Sequence, residues 1–129
     1  MIAVDTNVVV RLIMADDRIQ LAAAKARLAE GFFISHGVLM EVEWVLRSNY
    51  RLPPDEINRV LKALLDLDEI RVPRLSFVLW ALDRHGAGAD LADMLHLVAA
   101  TGCSSFLTFD KGLVEAVKAD KPIDVELLA

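Results

Sequence analysis

The sequence predicts an α/β protein: a three-layer α/β/α sandwich around a central parallel sheet, formed by one domain over residues 1–129. Two observations carry this prediction. Short apolar runs alternate along the chain with longer segments of helical periodicity. Strands in that alternation need crossover connections, which give a parallel sheet with helices on both faces. A third observation sets the domain count. No repeat, low-complexity tract or linker divides the 129 residues. That length suits one domain and buries roughly two-thirds of the unfolded surface.

Ile2 to Val4 reads as a short buried strand. Asn7 to Met14 reads as a short helix and Arg18 to Glu30 as an alanine-rich one, stopped by Gly31. Phe32 to Ile34 follows as a second strand. Ser35 is a cap for a helix running to about Tyr50. "LPPDE" breaks the chain and opens another helix, since proline is tolerated in a first turn. That helix ends near Asp68, and Ile70 to Val72 is the third strand. Pro73 to His85 is helical and is closed by "HGAG". Asp90 to Thr101 is a helix ended by Gly102. Ser105 to Phe109 is a strand, Lys111 to Ala119 a helix, and Ile123 to Val125 a last strand.

The totals exclude several classes. No apolar run reaches the roughly 18 residues of a membrane helix. The start has no basic stretch followed by an apolar core, so no export signal is expected. The single cysteine, Cys103, forms no internal disulfide, in keeping with a reducing cytoplasm. A net charge of −5 argues mildly against nonspecific binding to a polyanion.

Ligands of open α/β sheets bind outside the carboxyl ends of the strands. Asp5 and Asp110 both fall at such ends. A helix cap, worth about 1 kcal/mol, explains each one singly. Repetition at two strand ends weakens that explanation. In "GVLMEVEWVLRSNY", Val38, Leu39, Val42, Val45 and Leu46 form one apolar arc. Glu43 lies off it, one turn before Arg47, as a surface ion pair would. Glu41 lies on the edge of the arc, where a half-buried glutamate needs a partner: a hydrogen bond, an arginine or a metal. In "GAGADLADMLHLVAATG", Asp90 reads as an N-cap and Asp93 as the N3 residue. Capping leaves Asp93 only partly explained, because its helix otherwise avoids charge. His96, one turn on, reads as a structural histidine, and His36 and His85 suggest only capping or solvent contact.

With Asp5, Glu41, Asp93 and Asp110 in this order, the chain resembles the PIN-domain ribonuclease family, and more narrowly the VapC-type toxins of toxin–antitoxin pairs. "VDTNVVVRLI", "VLMEVEWVLRSNY", "ADLADMLHLVAA" and "FLTFDKGL" carry the resemblance over essentially the whole chain. It implies a PIN-like α/β/α fold, Mg2+ or Mn2+ dependence, cleavage of RNA, a small antitoxin partner and a homodimer. It also implies that Asp5, Glu41, Asp93 and Asp110 are the metal-binding catalytic acids, with Asp90 a further candidate. Thr6 and Asn7 match the polar residues that accompany the first acid.

The chemistry agrees with that implication. Two carboxylates about 4 Å apart repel by roughly 4 kcal/mol at an effective dielectric near 20. Oxygen ligands are what Mg2+ and Mn2+ prefer, and such ions would offset part of the net charge. Arg11, Arg47, Arg51 and Lys111 are candidates for holding RNA locally. The alternatives are a phosphohydrolase, a DNA nuclease on a similar sheet, and a non-catalytic binding module. A dehalogenase-type phosphohydrolase wants an aspartate where Asn7 stands. The helices expected over Pro54 to Asp68 and Pro73 to His85 carry no candidate site residue and are candidate dimer surfaces.

Overall fold

The computed structural model describes residues 1–118 and 120–129. The chain falls into two compact units, Met1–Pro73 and Arg74–Ala129.

In the first unit, β1 (Ile2–Ala3), β2 (Phe32–Phe33) and β3 (Ile70–Arg71) form a parallel sheet in the order β1-β2-β3. Ile2 pairs with Phe32, and Phe32 with Ile70. The crossovers are helical: α1 (Thr6–Met14) and α2 (Arg18–Leu28) join β1 to β2, while α3 (His36–Ser48) and α4 (Pro54–Leu65) join β2 to β3. Asp5, Asp17 and Ser35 cap the first three of these helices through side-chain oxygens. Pro54 fills the first turn of α4, whose unfilled donor position suits it. Val9, Val10, Phe32, Ile34, Leu39, Val42, Leu46, Ile57 and Leu61 are buried in this unit. Helix α2 has no buried residue.

In the second unit, α5 (Leu75–Gly86) packs on α6 (Leu91–Ala99). Strands β4 (Phe106–Thr108) and β5 (Val125–Leu127) pair in parallel, joined through α7 (Lys111–Ala116). Leu91, Met94, Leu95, Leu97 and Val98 bury most of α6. Gly102 takes a positive φ of 101° after that helix, a conformation that costs glycine little.

The α/β class and parallel pairing are those the sequence predicts. Hydrogen bonding gathers the strands as three and two, where one central sheet was expected. The last strand begins at Val125, so the expected Ile123 lies ahead of it as a buried apolar residue. The expected end of the preceding helix at Ala119 lies outside the described residues, and α7 closes at Ala116.

Candidate acidic site

Two groups of acids form, one in each unit. In the first, Asp5 leaves β1 and begins α1, its Oδ1 accepting from the Val8 N–H at 3.1 Å. Cap and site are compatible here, because the cap occupies one carboxylate oxygen. The next residue, Thr6, donates its hydroxyl to Glu41 Oε2 at 3.1 Å. That bond ties the first turn of α1 to the middle of α3 and fixes Glu41 against the strand end.

Helix α3 is turned differently from the sequence reading. Its buried residues are Leu39, Val42, Glu43 and Leu46, while Glu41 is exposed. The buried arc is rotated by roughly 50° from the purely apolar one, at 100° per residue. Arg47 makes that rotation possible. Its Nε donates to Glu43 Oε2 at 2.9 Å, so the pairing is as expected but Glu43 is 6% exposed and not a surface residue. An arc drawn from apolar residues alone misses a charge that carries its own partner.

Asp5 and Asn7 line a cavity of about 670 Å³. Ile2, Val4, Val8, Ala23, Ala24 and Phe32 give it apolar walls, and Arg11, Gln20 and Arg27 complete it. Arg11 is heavily engaged. It donates to Gln20 Oε1 at 2.7 Å, to Asp16 Oδ1 at 2.9 Å and to the Tyr50 hydroxyl at 3.0 Å. Tyr50 in turn donates to Asp16 Oδ2 at 2.7 Å. The Tyr50 hydroxyl, and then Arg11, hold the Asp16 carboxyl below its ordinary value. Arg47 is committed to Glu43, while Arg51 is exposed at a positive φ of 55°. Sequence reasoning missed Asp16 and Tyr50. The signal available was the tandem "DD" between α1 and α2, within reach of Arg11.

In the second unit, Asp90 caps α6, its Oδ2 accepting from the Asp93 N–H at 3.0 Å. Asp110 caps α7, its Oδ1 accepting from the Gly112 and Leu113 N–H groups at 2.8 and 3.2 Å. Thr108 Oγ1 accepts the Asp110 N–H at 3.0 Å and pins the turn. Gly112 leaves room for this cap, since a Cβ there would meet Asp110 Oδ1 at 3.1 Å. Asp93 is the exception among these acids. It is half-buried, and its carboxylate accepts no hydrogen bond among the described residues. Burial raises its pKa above the ordinary value, the charges of Asp90 and Asp110 raise it further, and His96 opposes them. His96 is exposed.

Oxygen donors of this kind fit a hard divalent cation. Among the described residues no group of three or more His, Cys, Asp or Glu side chains forms a ready cage. Mg2+ does not require one, since it keeps several waters and takes one or two carboxylates plus substrate phosphates.

A parallel α/β fold with aspartates beginning helices at its strand ends is an arrangement used by metal-dependent hydrolases. The chain belongs to the PIN-domain family, whose members are generally metal-dependent nucleases acting on nucleic acids. The PIN domain matches residues 2–119 and so runs across both compact units. None of the curated proteins compared is significantly similar to the chain. Among the described residues, no helix is long and apolar enough to cross a membrane.

Proposed function

We propose that this protein is a Mg2+- or Mn2+-dependent endoribonuclease and the toxin of a type II toxin–antitoxin pair. Asp5, Glu41, Asp93 and Asp110 are its catalytic, metal-holding acids, with Asp90 as a fifth candidate. The observation that carries this reading is Asp93. A half-buried carboxylate with no hydrogen-bond donor among the described residues, destabilised by burial and by two neighbouring aspartates, is a group that a cation would satisfy. The family membership supplies the reaction class.

A divalent cation, when bound, neutralises the phosphate and activates the attacking water. The chain's own residues do the positioning. Thr6 holds Glu41 by its hydroxyl, and Thr108 fixes the turn that presents Asp110. Asp5, Asp90 and Asp110 are each pinned by backbone N–H groups at one oxygen. Asn7 is exposed beside Asp5 and is the substrate-positioning candidate there, whereas Arg11 ties α1 to the turn at Asp16 and to Tyr50 after α3. The apolar-walled cavity beside Asp5 supports an antitoxin that inserts an apolar segment with a basic side chain. Leu75 and Leu79, exposed one turn apart on α5, support a homodimer through that helix.

The test is cleavage of RNA by purified protein in Mg2+ or Mn2+ and in excess EDTA. Cleavage that depends on the ion, and disappears in Asp93→Asn, is expected. Equal cleavage in EDTA would sink the reading. DNA cleaved in preference to RNA would return the alternative of a DNA nuclease.

A further inference from the structure

Phe109 is 78% exposed, a high value for a phenylalanine in a folded domain. It stands between Thr108, which pins the turn, and Asp110, which caps α7. Its backbone is therefore held on both sides while its ring lies in solvent. It also has company. Phe109 directly follows β4, and continuing that strand's alternation sets Leu107, 54% exposed, on the face of Phe109. Leu107 is in register with Glu126, and Thr108 with Leu127, so continuing the ladder sets exposed Leu128 opposite Phe109. Glu126 lies on this face too, but Ser105 Oγ donates to it at 3.1 Å and holds it at the far end from Phe109. On the other side of Asp110 is Lys111, exposed and without an ion pair among the described residues.

Resting on the nuclease reading above, we propose that Phe109 is a stacking platform for an unpaired nucleobase of the substrate, extended by Leu107 and Leu128, with Lys111 on the adjoining phosphate. The order aromatic, acid, cation is what a single strand presents in complement: a base, then the phosphodiester to be cut, then the next charged linkage. A flat apolar ring takes any base by its face, and this contact is sequence-tolerant. A duplex hides those faces, so the platform selects single-stranded substrate or an extruded loop base. The exposed Lys111 beside it favours a nucleic acid over a protein partner, because an apolar ring followed by a cation matches a base and its phosphate.

The experiment uses the full chain and a labelled single-stranded RNA oligonucleotide, with Ca2+ in place of Mg2+ so that binding is read by fluorescence anisotropy. Phe109→Ala and Phe109→Leu should each weaken binding about tenfold, and Phe109→Tyr should retain it, since tyrosine keeps the aromatic face that leucine, though apolar and of similar bulk, lacks. Lys111→Ala should lower the slope of log affinity on log salt by about one. In Mg2+, the Phe109→Ala loss should fall on KM more than on kcat. Circular dichroism checks the fold, which an exposed side chain leaves intact. Unchanged binding in both Phe109→Ala and Phe109→Leu overturns the platform, as does failure of the wild type to bind any single strand. So does a Phe109→Ala variant that changes oligomeric mass while binding RNA as before, which would make the face a protein contact. Wild type that cleaves RNA with no dependence on Phe109 leaves the nuclease standing without the platform. Wild type that binds through Phe109 but cleaves nothing keeps the platform and removes the nuclease.

Discussion

Asp5, Asp90 and Asp110 were readable from the sequence as caps and as site residues at once, and they cap as expected, each with one oxygen held. Asp93 stands apart, and its effect on stability has a definite sign. Burial first, then Asp90 and Asp110, raise its pKa in the folded chain. A raised carboxyl is one whose ionised form the fold disfavours. The penalty is complete at pH above the folded pKa and fades as pH falls through it toward the ordinary carboxylate range. Asp93→Asn is therefore expected to abolish metal-dependent cleavage while leaving the metal-free melting temperature equal or higher at neutral pH. That advantage should shrink as the pH is lowered toward the ordinary carboxylate range, about 4. Thermal denaturation across pH with EDTA present measures this, and a lower melting temperature at neutral pH would contradict it. Glu41 and Glu43 separate in a different way. Glu41→Gln is expected to cost activity with little change in stability, because Glu41 is exposed. Glu43→Gln weakens the pair with Arg47 in a buried position and should cost about 1 kcal/mol of stability, with activity per folded molecule retained. Activity lost through Glu43→Gln at unchanged melting temperature would show that the roles are exchanged.

Strands and helices were legible where local chemistry dictates them. Ser35 caps α3, Pro54 opens α4 and Gly102 follows α6, each at the residue the sequence marks. Legibility failed where long-range pairing decides. The turn of α3 depends on Arg47 pairing with the buried Glu43 from the exposed side, and β5 begins at Val125 because Phe106 pairs there, neither of which a local pattern contains. Helix α2 is the clearest case. Its alanine-rich sequence predicts a helix correctly, yet nothing in it is buried. It lines both the cavity beside Asp5 and a second cleft of about 380 Å³ through Lys25 and Leu28. What anchors its beginning is polar: Asp17 as cap, and Gln20 in the Arg11–Asp16–Tyr50 network. Tyr50→Phe removes the donor to Asp16 and leaves the core untouched. Amide exchange over residues 18–28 should then quicken severalfold while the buried amides of α3 keep their protection. Uniform acceleration over the chain would mean that the network supports the whole fold and not this helix.

A 129-residue chain with 55% apolar residues and a net charge of −5 holds two tendencies in tension. On the proposed reading, part of that charge sits at the metal-holding acids and would be offset when ions bind. The apolar content exceeds what is buried, and Leu75, Leu79, Trp44 and Leu67 remain in solvent. Leu75 and Leu79 stand i,i+4 on α5, a spacing that makes one continuous stripe. Symmetric association is the commonest way to cover such a stripe, and the self-complementary contact puts it against its own copy. The protein is therefore expected to run as a homodimer, and Leu79→Glu should convert it to a monomer with its helical content intact. Light scattering at micromolar concentration measures the mass, and a strictly monomeric wild type would remove the dimer. The toxin reading has its own readout. Expression of the intact chain should slow growth, and Asp5→Asn or Asp93→Asn should relieve the slowing at equal protein levels. An inhibitor that occupies the cavity beside Asp5 should lower RNA cleavage in proportion as it is added, because Asp5 and Asn7 line that cavity. Confirmed nuclease activity with growth unaffected would leave the ribonuclease in place and remove the toxin.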